Sequence, residues 1–139
     1  MLLWQPTSIN FDLVVFLTNM SDGWETLLNI YFDEFKREII RVCFSDEASE
    51  FPAYSFEYME SSNQRVIQAL KDSDRWDFFE SGSILPFENS LNYRKRKISD
   101  RLNNDIIEDY LKKNEIDIRQ NDFWVSKGDA IEFSTKLSD

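Results

Sequence analysis

The sequence predicts an α+β fold: an antiparallel sheet of about five or six strands with two main helices on one side. Short apolar runs rich in Val, Ile and aromatic residues, joined by short loops, fill the first sixty residues and are typical of an antiparallel meander. Farther along, apolar residues recur every three or four positions, which is typical of amphipathic helices. With 139 residues and only three glycines and three prolines, we expect a single domain over residues 1–139.

Four strands are predicted in the N-terminal part. FDLVVFLT (11–18) is an almost continuous apolar run, which favours a strand covered on both faces. Residues 24–33 alternate in polarity after a turn at Asp22-Gly23 and predict a second strand. REIIRVCF (37–44) and AYSFEYME (53–60) predict the third and fourth, with strands two and three forming a hairpin.

The remaining elements are predicted from helical spacing and turn residues. Residues 61–72 predict a helix that begins at a capping box, and residues 73–90 predict a loop held by aromatic rings, with room for a short strand. Residues 98–113 predict a second helix, open to an interruption at Asn103-Asn104. DFWVSKGDAIEFST predicts a C-terminal hairpin around Lys127-Gly128-Asp129.

Charge is high and unevenly distributed. The formal net charge is −10, and residues 1–35 contain no Lys or Arg. The window 92–101 holds five cations against one acid, a local charge of +4, which leaves −14 on the rest of the chain. Such a surface attracts basic proteins and disfavours nucleic acid and acidic membranes, although excess acid also serves solubility alone.

Several chemistries are excluded or disfavoured by composition. The chain has no histidine, which excludes Ser-His-Asp and Cys-His catalysis, and no glycine-rich phosphate loop. The close acid pairs Asp46-Glu47 and Asp72-Asp74 lack a calcium-loop glycine, and among 26 acids such pairs arise by chance. We therefore expect a protein that is not an enzyme and holds no cofactor or metal.

Cys43 and the N-terminus bear on localisation. Cys43 is the only cysteine and lies in an apolar run, so we expect a buried, inert thiol in a reducing compartment. The start MLLWQPTSIN lacks a basic segment followed by a long apolar one, and no stretch reaches membrane-spanning length. The Asn19-Met20-Ser21 glycosylation pattern is then a chance match. These features predict a cytoplasmic protein without a membrane anchor.

The stretch SDEASEFPAYSFEYMESS (45–62) combines five acids and four aromatics with no basic residue. Acids steer a basic partner and aromatic rings supply contact area, which favours a protein-binding surface. On a strand, Tyr54, Phe56 and Tyr58 share one face, and these rings are either core or contact surface. The predicted partner-binding residues are Asp33, Glu34, Asp46, Glu47, Glu50, Glu57, Tyr58 and Glu60.

In overall character the chain resembles the immunity proteins of bacterial polymorphic-toxin and contact-dependent growth-inhibition systems. It is small, acidic and free of histidine, and its segment NDIIEDYLKKNEIDIRQNDFWVSKGDAIEF is similar to the ends of such proteins. The resemblance implies one-to-one neutralisation of a basic toxin, commonly a nuclease, without turnover. The alternative is a regulatory or adaptor domain whose basic run 94–101 contacts nucleic acid or an acidic partner. A third interpretation of that run is a solvated face that is salt-bridged to the protein's own acids.

Overall fold

A computed structural model describes residues 1–18 and 25–134 and shows two antiparallel sheets with two α-helices. In chain order the elements are β1 (Leu2–Trp4), β2 (Val15–Leu17), α1 (Glu25–Phe35), β3 (Ile39–Cys43), β4 (Ala53–Glu60), β5 (Asn63–Asp72), β6 (Arg75–Ser81), α2 (Asn104–Lys113) and β7 (Ile131–Glu132). The larger sheet has the order β3-β4-β5-β6 and the smaller one β2-β1-β7. The predicted α+β class is confirmed, with the strands divided between two sheets.

The larger sheet is a meander of consecutive hairpins. β4 and β5 pair from Ala53↔Leu70 to Glu60↔Asn63, so that only two residues form the turn. The period of two points alternate side chains to one face, where Phe56 pairs with Ile67 and both are fully buried. β6 continues the meander after a turn in which Ser73 adopts a positive φ of 54°.

α2 covers the buried face of this sheet. Its N-cap is Asn103, whose side chain accepts a hydrogen bond from the Ile106 amide. Tyr110 is fully buried and meets the Phe56 ring edge-on, with the ring centroids 5.6 Å apart. Trp4 and Phe123, on the side of the smaller sheet, belong to the same cluster of buried side chains, so one core serves both sheets.

A polar network is buried beside this core. The Arg65 side chain is 1% exposed and donates to the Glu88 carboxylate, which is 0% exposed, with its Nη2 atom 2.8 Å from Oε1. The Tyr93 hydroxyl also donates to Glu88, at 2.7 Å, and lies 2.7 Å from the Tyr110 hydroxyl. Burial raises the pKa of both tyrosines, which keeps them neutral. The opposite charges of Arg65 and Glu88 therefore compensate each other inside the fold.

The predicted strand over residues 24–33 is wrong, because Glu25–Phe35 forms α1. The segment is apolar enough to fit both periods: Leu28 and Phe32 are four residues apart, share a helix face and are half-buried. The predicted hairpin between strands two and three is therefore absent from the described chain. Trp24, the turn at Asp22-Gly23 and the Asn19-Met20-Ser21 pattern lie outside the described residues.

The predicted helix over residues 61–72 is also wrong, because this segment forms β5. Arg65, Ile67 and Ala69 all point inward at alternate positions and are buried. An arginine is normally exposed, so Arg65 hides the period of two in the sequence. The pairing with β4 and the ion pair with Glu88 decide the structure instead.

Other predicted boundaries are corrected in detail. Only Val15–Leu17 of the run 11–18 is a strand, and Leu17 is exposed, so that the strand is not covered on both faces. The segment 73–90 contains a full strand, β6, before its loop. The C-terminal hairpin is wrong because β7 pairs with β1, across the whole chain. The third predicted strand is confirmed as β3, and the fourth as β4 with the same bounds.

The second predicted helix is confirmed as α2, with a later start at Asn104. The chain is interrupted at Asn103, and Ile98–Asp100 form a separate 3₁₀ turn. Within the described residues, no helix has the length and apolar character needed to cross a membrane.

Candidate functional site: the acidic loop between β3 and β4

The loop of residues 44–52, here called the acidic loop, joins β3 to β4. Asp46, Glu47 and Glu50 are exposed, and none forms a salt bridge with any residue that the structure describes. Phe44 and Phe51 stand at the two ends of this group and are also exposed. The loop therefore presents negative charge and apolar rings together, without a cation of its own.

The acidic loop is anchored at both ends. At its start, the Ser45 amide donates to Asn104 Oδ1 at 3.1 Å, and Asn104 Nδ2 donates back to the Ser45 carbonyl at 2.7 Å. At its end, Pro52 is buried and its carbonyl accepts a hydrogen bond from the Lys71 amide at 2.9 Å. These contacts tie the loop to α2 and β5. An anchored loop loses less conformational entropy when another molecule binds to it.

The loop is also ordered internally. The Asp46 side chain accepts a hydrogen bond from the Ala48 amide at 2.9 Å, and the Asp46 carbonyl accepts one from the Ser49 amide at 3.0 Å. An Asp at the first position of such a turn is the usual choice because its side chain can cap the next amides. Asp46 thus shapes the loop, whereas Glu47 and Glu50 are exposed and form no such bond with the residues that the structure describes.

Glu57 lies away from the acidic loop, on the outer face of the larger sheet. Its carboxylate is 3.5 Å from the Arg41 guanidinium, which also lies 3.9 Å from Glu25 of α1. Burial raises the pKa of Glu57, although the nearby Arg41 opposes the rise. The charge of Glu57 is therefore engaged within the fold.

Tyr58 and Glu60 lie toward the far end of β4. The Tyr58 ring is half-buried with its centroid 6.2 Å from that of Phe87, and burial together with hydrogen bonding to Glu38 raises the pKa of its hydroxyl. Glu60 accepts a hydrogen bond from the Ser62 hydroxyl at 2.9 Å. Seven steps of about 3.3 Å separate the ends of β4, roughly 23 Å, so the eight predicted residues do not form one cluster.

Asp33 and Glu34 lie in the last turn of α1, before β3, rather than in a hairpin. Asp33 is 3.7 Å from Lys36, and both side chains are well exposed. Glu34 is exposed and forms no salt bridge in the described part of the chain. Acids at a helix C-terminus are unfavourable to the helix, so neither is there to stabilise α1.

The aromatic rings of residues 45–62 divide into core and surface. Tyr54 and Phe56 are buried in the sheet, whereas Phe51 is exposed in the acidic loop. Phe44, which sequence reasoning did not select, is exposed at the other end of the loop. Its place at the end of the predicted strand 37–44, directly before the acids, was the available signal.

Cys43 is exposed, so the prediction of a buried thiol is wrong. It ends β3, which is an edge strand of the larger sheet, and its side chain points to the face opposite the core residues Phe56 and Ile67. Its Sγ lies 3.7 Å from the Ala53 carbonyl.

The basic run forms a second charged surface. Arg94 ends a 3₁₀ turn formed by Asn92–Arg94, and Lys95, Arg96 and Lys97 connect it to the turn at Ile98–Asp100. All four cations are exposed, and in the described chain none of them forms a salt bridge. Arg101 holds this segment: its Nε donates to the Lys95 carbonyl at 2.7 Å. Ion pairing to the protein's own acids therefore does not account for the run within the described chain.

Chemically, the described surface offers charge and apolar contact. Across residues 1–18 and 25–134, no group of three Cys, Asp or Glu side chains is arranged to hold a metal ion. The acidic loop instead offers exposed carboxylates with an exposed phenylalanine on either side. Comparison of the chain with protein-family models, with curated proteins and with solved structures found no match in any of the three.

Proposed function

We propose that this chain is an immunity or inhibitor protein that neutralises a basic toxin, such as a nuclease, by one-to-one binding through the acidic loop. The observation that carries the proposal is the anchored, exposed loop in which Glu47 and Glu50 have no cation partner in the described chain while Phe44 and Phe51 flank them. Glu57, Tyr58 and Glu60 are secondary to the loop, because they lie along β4 and are engaged by neighbours.

The physical basis is charge complementarity. A nuclease needs Lys and Arg in its cleft to bind phosphates, and the same side chains bind carboxylates. The net charge of −10 steers such a partner toward the protein, and the loop acids fix where it docks. The two phenylalanines add apolar area that water leaves on binding. Inhibition then follows from occupation of the basic cleft, or of a surface next to it, without turnover.

The test takes the product of the gene that neighbours this chain's gene as the candidate partner. Its activity is titrated with the wild-type protein and with the pair Glu47→Lys/Glu50→Lys. The pair Asp122→Lys/Asp129→Lys, two exposed acids outside the loop, changes the net charge equally and serves as the matched control. We expect inhibition to be complete at one equivalent, with a loss of at least about tenfold in affinity for the loop pair alone.

Two results would count against the proposal. Equal losses for the two pairs would reduce the effect to net charge and remove the acidic loop from the interface. A wild-type protein that neither binds nor inhibits the neighbouring gene's product would remove the immunity function itself.

A second candidate function rests on the basic run. Arg94 and Lys95 are exposed and lack a salt bridge in the described chain, which leaves them available to an acidic partner or to phosphates. If all four cations from 94 to 97 contacted single-stranded nucleic acid, the logarithm of affinity would fall with that of salt concentration with a slope of about −3. Fluorescence anisotropy with a labelled 20-nucleotide RNA tests this. Binding that survives neutralisation of the run would exclude the run as the site.

A further inference from the structure

α1 carries a second surface whose exposure is unusual for a helix. Leu27, Ile30, Tyr31 and Phe35 are 44%, 61%, 45% and 59% exposed, and no residue of this 11-residue helix is buried. The rings of Tyr31 and Phe35 touch, with centroids 4.8 Å apart. A surface helix normally directs such side chains to the core and polar ones to water.

The exposed apolar side chains share one face. At about 100° per residue, the four of them and Glu34 fall within about 140° of the helix circumference. The inward side is defined by the half-buried Leu28 and Phe32 and by Glu25, whose carboxylate reaches Arg41 at 3.9 Å. Ile30 lies nearly opposite to these three and is the most exposed of the four. Together with Leu28 and Phe32, the apolar residues of α1 thus span about 200° of its circumference, which is wider than the stripe of a helix covered on one side only.

Charge selects what covers this outward face. α1 contains Glu25, Asp33 and Glu34 and no basic residue. A second copy of this chain would bring like charges together, within a molecule whose net charge is already −10. A partner with apolar side chains bordered by Lys or Arg would cover the apolar residues of this outward face and pair with Glu34.

We infer that the outward face of α1, formed by Leu27, Ile30, Tyr31, Glu34 and Phe35, is a docking surface for the basic protein partner. The inference rests on the proposed function. It gives that partner a second contact, in addition to the acidic loop. The loop governs the rate of association through charge, while the α1 face contributes apolar contact that slows dissociation.

The experiment compares two pairs of exposed apolar residues. Ile30→Gln/Tyr31→Gln removes two apolar side chains of the α1 face, one of them the most exposed, and keeps residues that favour a helix. Ile84→Gln/Leu91→Gln removes residues that are 56% and 68% exposed, outside α1, and is the matched control. Binding to a catalytically inactive form of the neighbouring gene's toxin domain is measured by surface plasmon resonance, with circular dichroism to confirm equal folding.

We expect the α1 pair to raise the dissociation rate at least about tenfold, independently of salt, and the control pair to change it less than twofold. If the α1 pair binds like the wild type while the loop pair Glu47→Lys/Glu50→Lys does not, the α1 inference is wrong and the proposed function stands. If the wild type does not bind, both fail. A partner-free dimer in sedimentation, abolished by the α1 pair, would assign the face to a second copy instead.

Discussion

The buried pair Arg65–Glu88 should control stability more than any surface charge. In Arg65→Met, the Glu88 carboxylate stays 0% exposed and loses its hydrogen bonds from Arg65 Nε and Nη2, at 3.0 and 2.8 Å. The Tyr93 hydroxyl and the Leu85 amide remain as its donors. Removing one member of a buried ion pair costs about 3–5 kcal/mol because the other charge is left uncompensated.

This loss of unfolding free energy corresponds to a decrease in the melting temperature, Tm. An unfolding entropy of about 2.1 cal/mol/K per residue gives roughly 0.29 kcal/mol/K for the whole chain, so Arg65→Met should lower Tm by about 10–17 °C. Urea unfolding at pH 7 measures the free energy, and calorimetry measures Tm. The double variant Arg65→Met/Glu88→Gln leaves no buried unpaired charge at this site and keeps an acceptor for Tyr93, so it should be more stable than Arg65→Met alone. A loss below about 1 kcal/mol for Arg65→Met, or strictly additive losses in the double variant, would refute the reasoning.

Three further substitutions test other parts of the structure. Gly82→Ala should cost at least about 2 kcal/mol, because Gly82 has φ = +82° and a Cβ there would lie 2.1 Å from the Gln64 carbonyl oxygen; an unchanged urea midpoint would contradict this. Asn104→Leu removes both hydrogen bonds to Ser45 and should make the acidic loop exchange its amide hydrogens faster, at a cost of about 1–2 kcal/mol; unchanged exchange would show that the anchor is dispensable. Glu57→Gln should increase stability at pH 7 and leave it nearly unchanged at pH 4. Burial raises the pKa of Glu57, so the folded state binds the proton more tightly and stability falls as pH rises past the unfolded value of about 4.3. A lower Tm for Glu57→Gln than for the wild type at pH 7 would contradict this prediction.

The sequence predicts those elements whose signal is local. β4 follows Pro52 and alternates cleanly, and α2 begins after an Asn and ends in two lysines, so both are visible in a single short window. β5 is missed because Arg65 occupies an inward position that Glu80 and Glu88, 15 and 23 residues later, make tolerable. α1 is missed because its apolar residues extend around more than half of the helix circumference, so the same segment also shows the alternation expected of a strand.

The candidate site is predictable in composition and not in arrangement. The absence of cations between residues 45 and 62 marks the acidic loop directly. That Asn104 anchors the loop from 59 residues away is a property of the tertiary fold. The engagement of Glu57 by Arg41 likewise depends on strand register, which the sequence pattern does not set.

The most direct test of inhibition through the acidic loop is the association rate of the neighbouring gene's toxin domain, measured by stopped flow at rising salt. Charges separated by more than about 8–10 Å are screened at physiological ionic strength, so steering by Glu47 and Glu50 should fade as salt increases. We predict a rate that falls at least about tenfold between low and moderate salt for the wild type, and a lower, flatter rate for Glu47→Lys/Glu50→Lys. A rate that is indifferent to salt, and the same for both proteins, would contradict binding through the acidic loop.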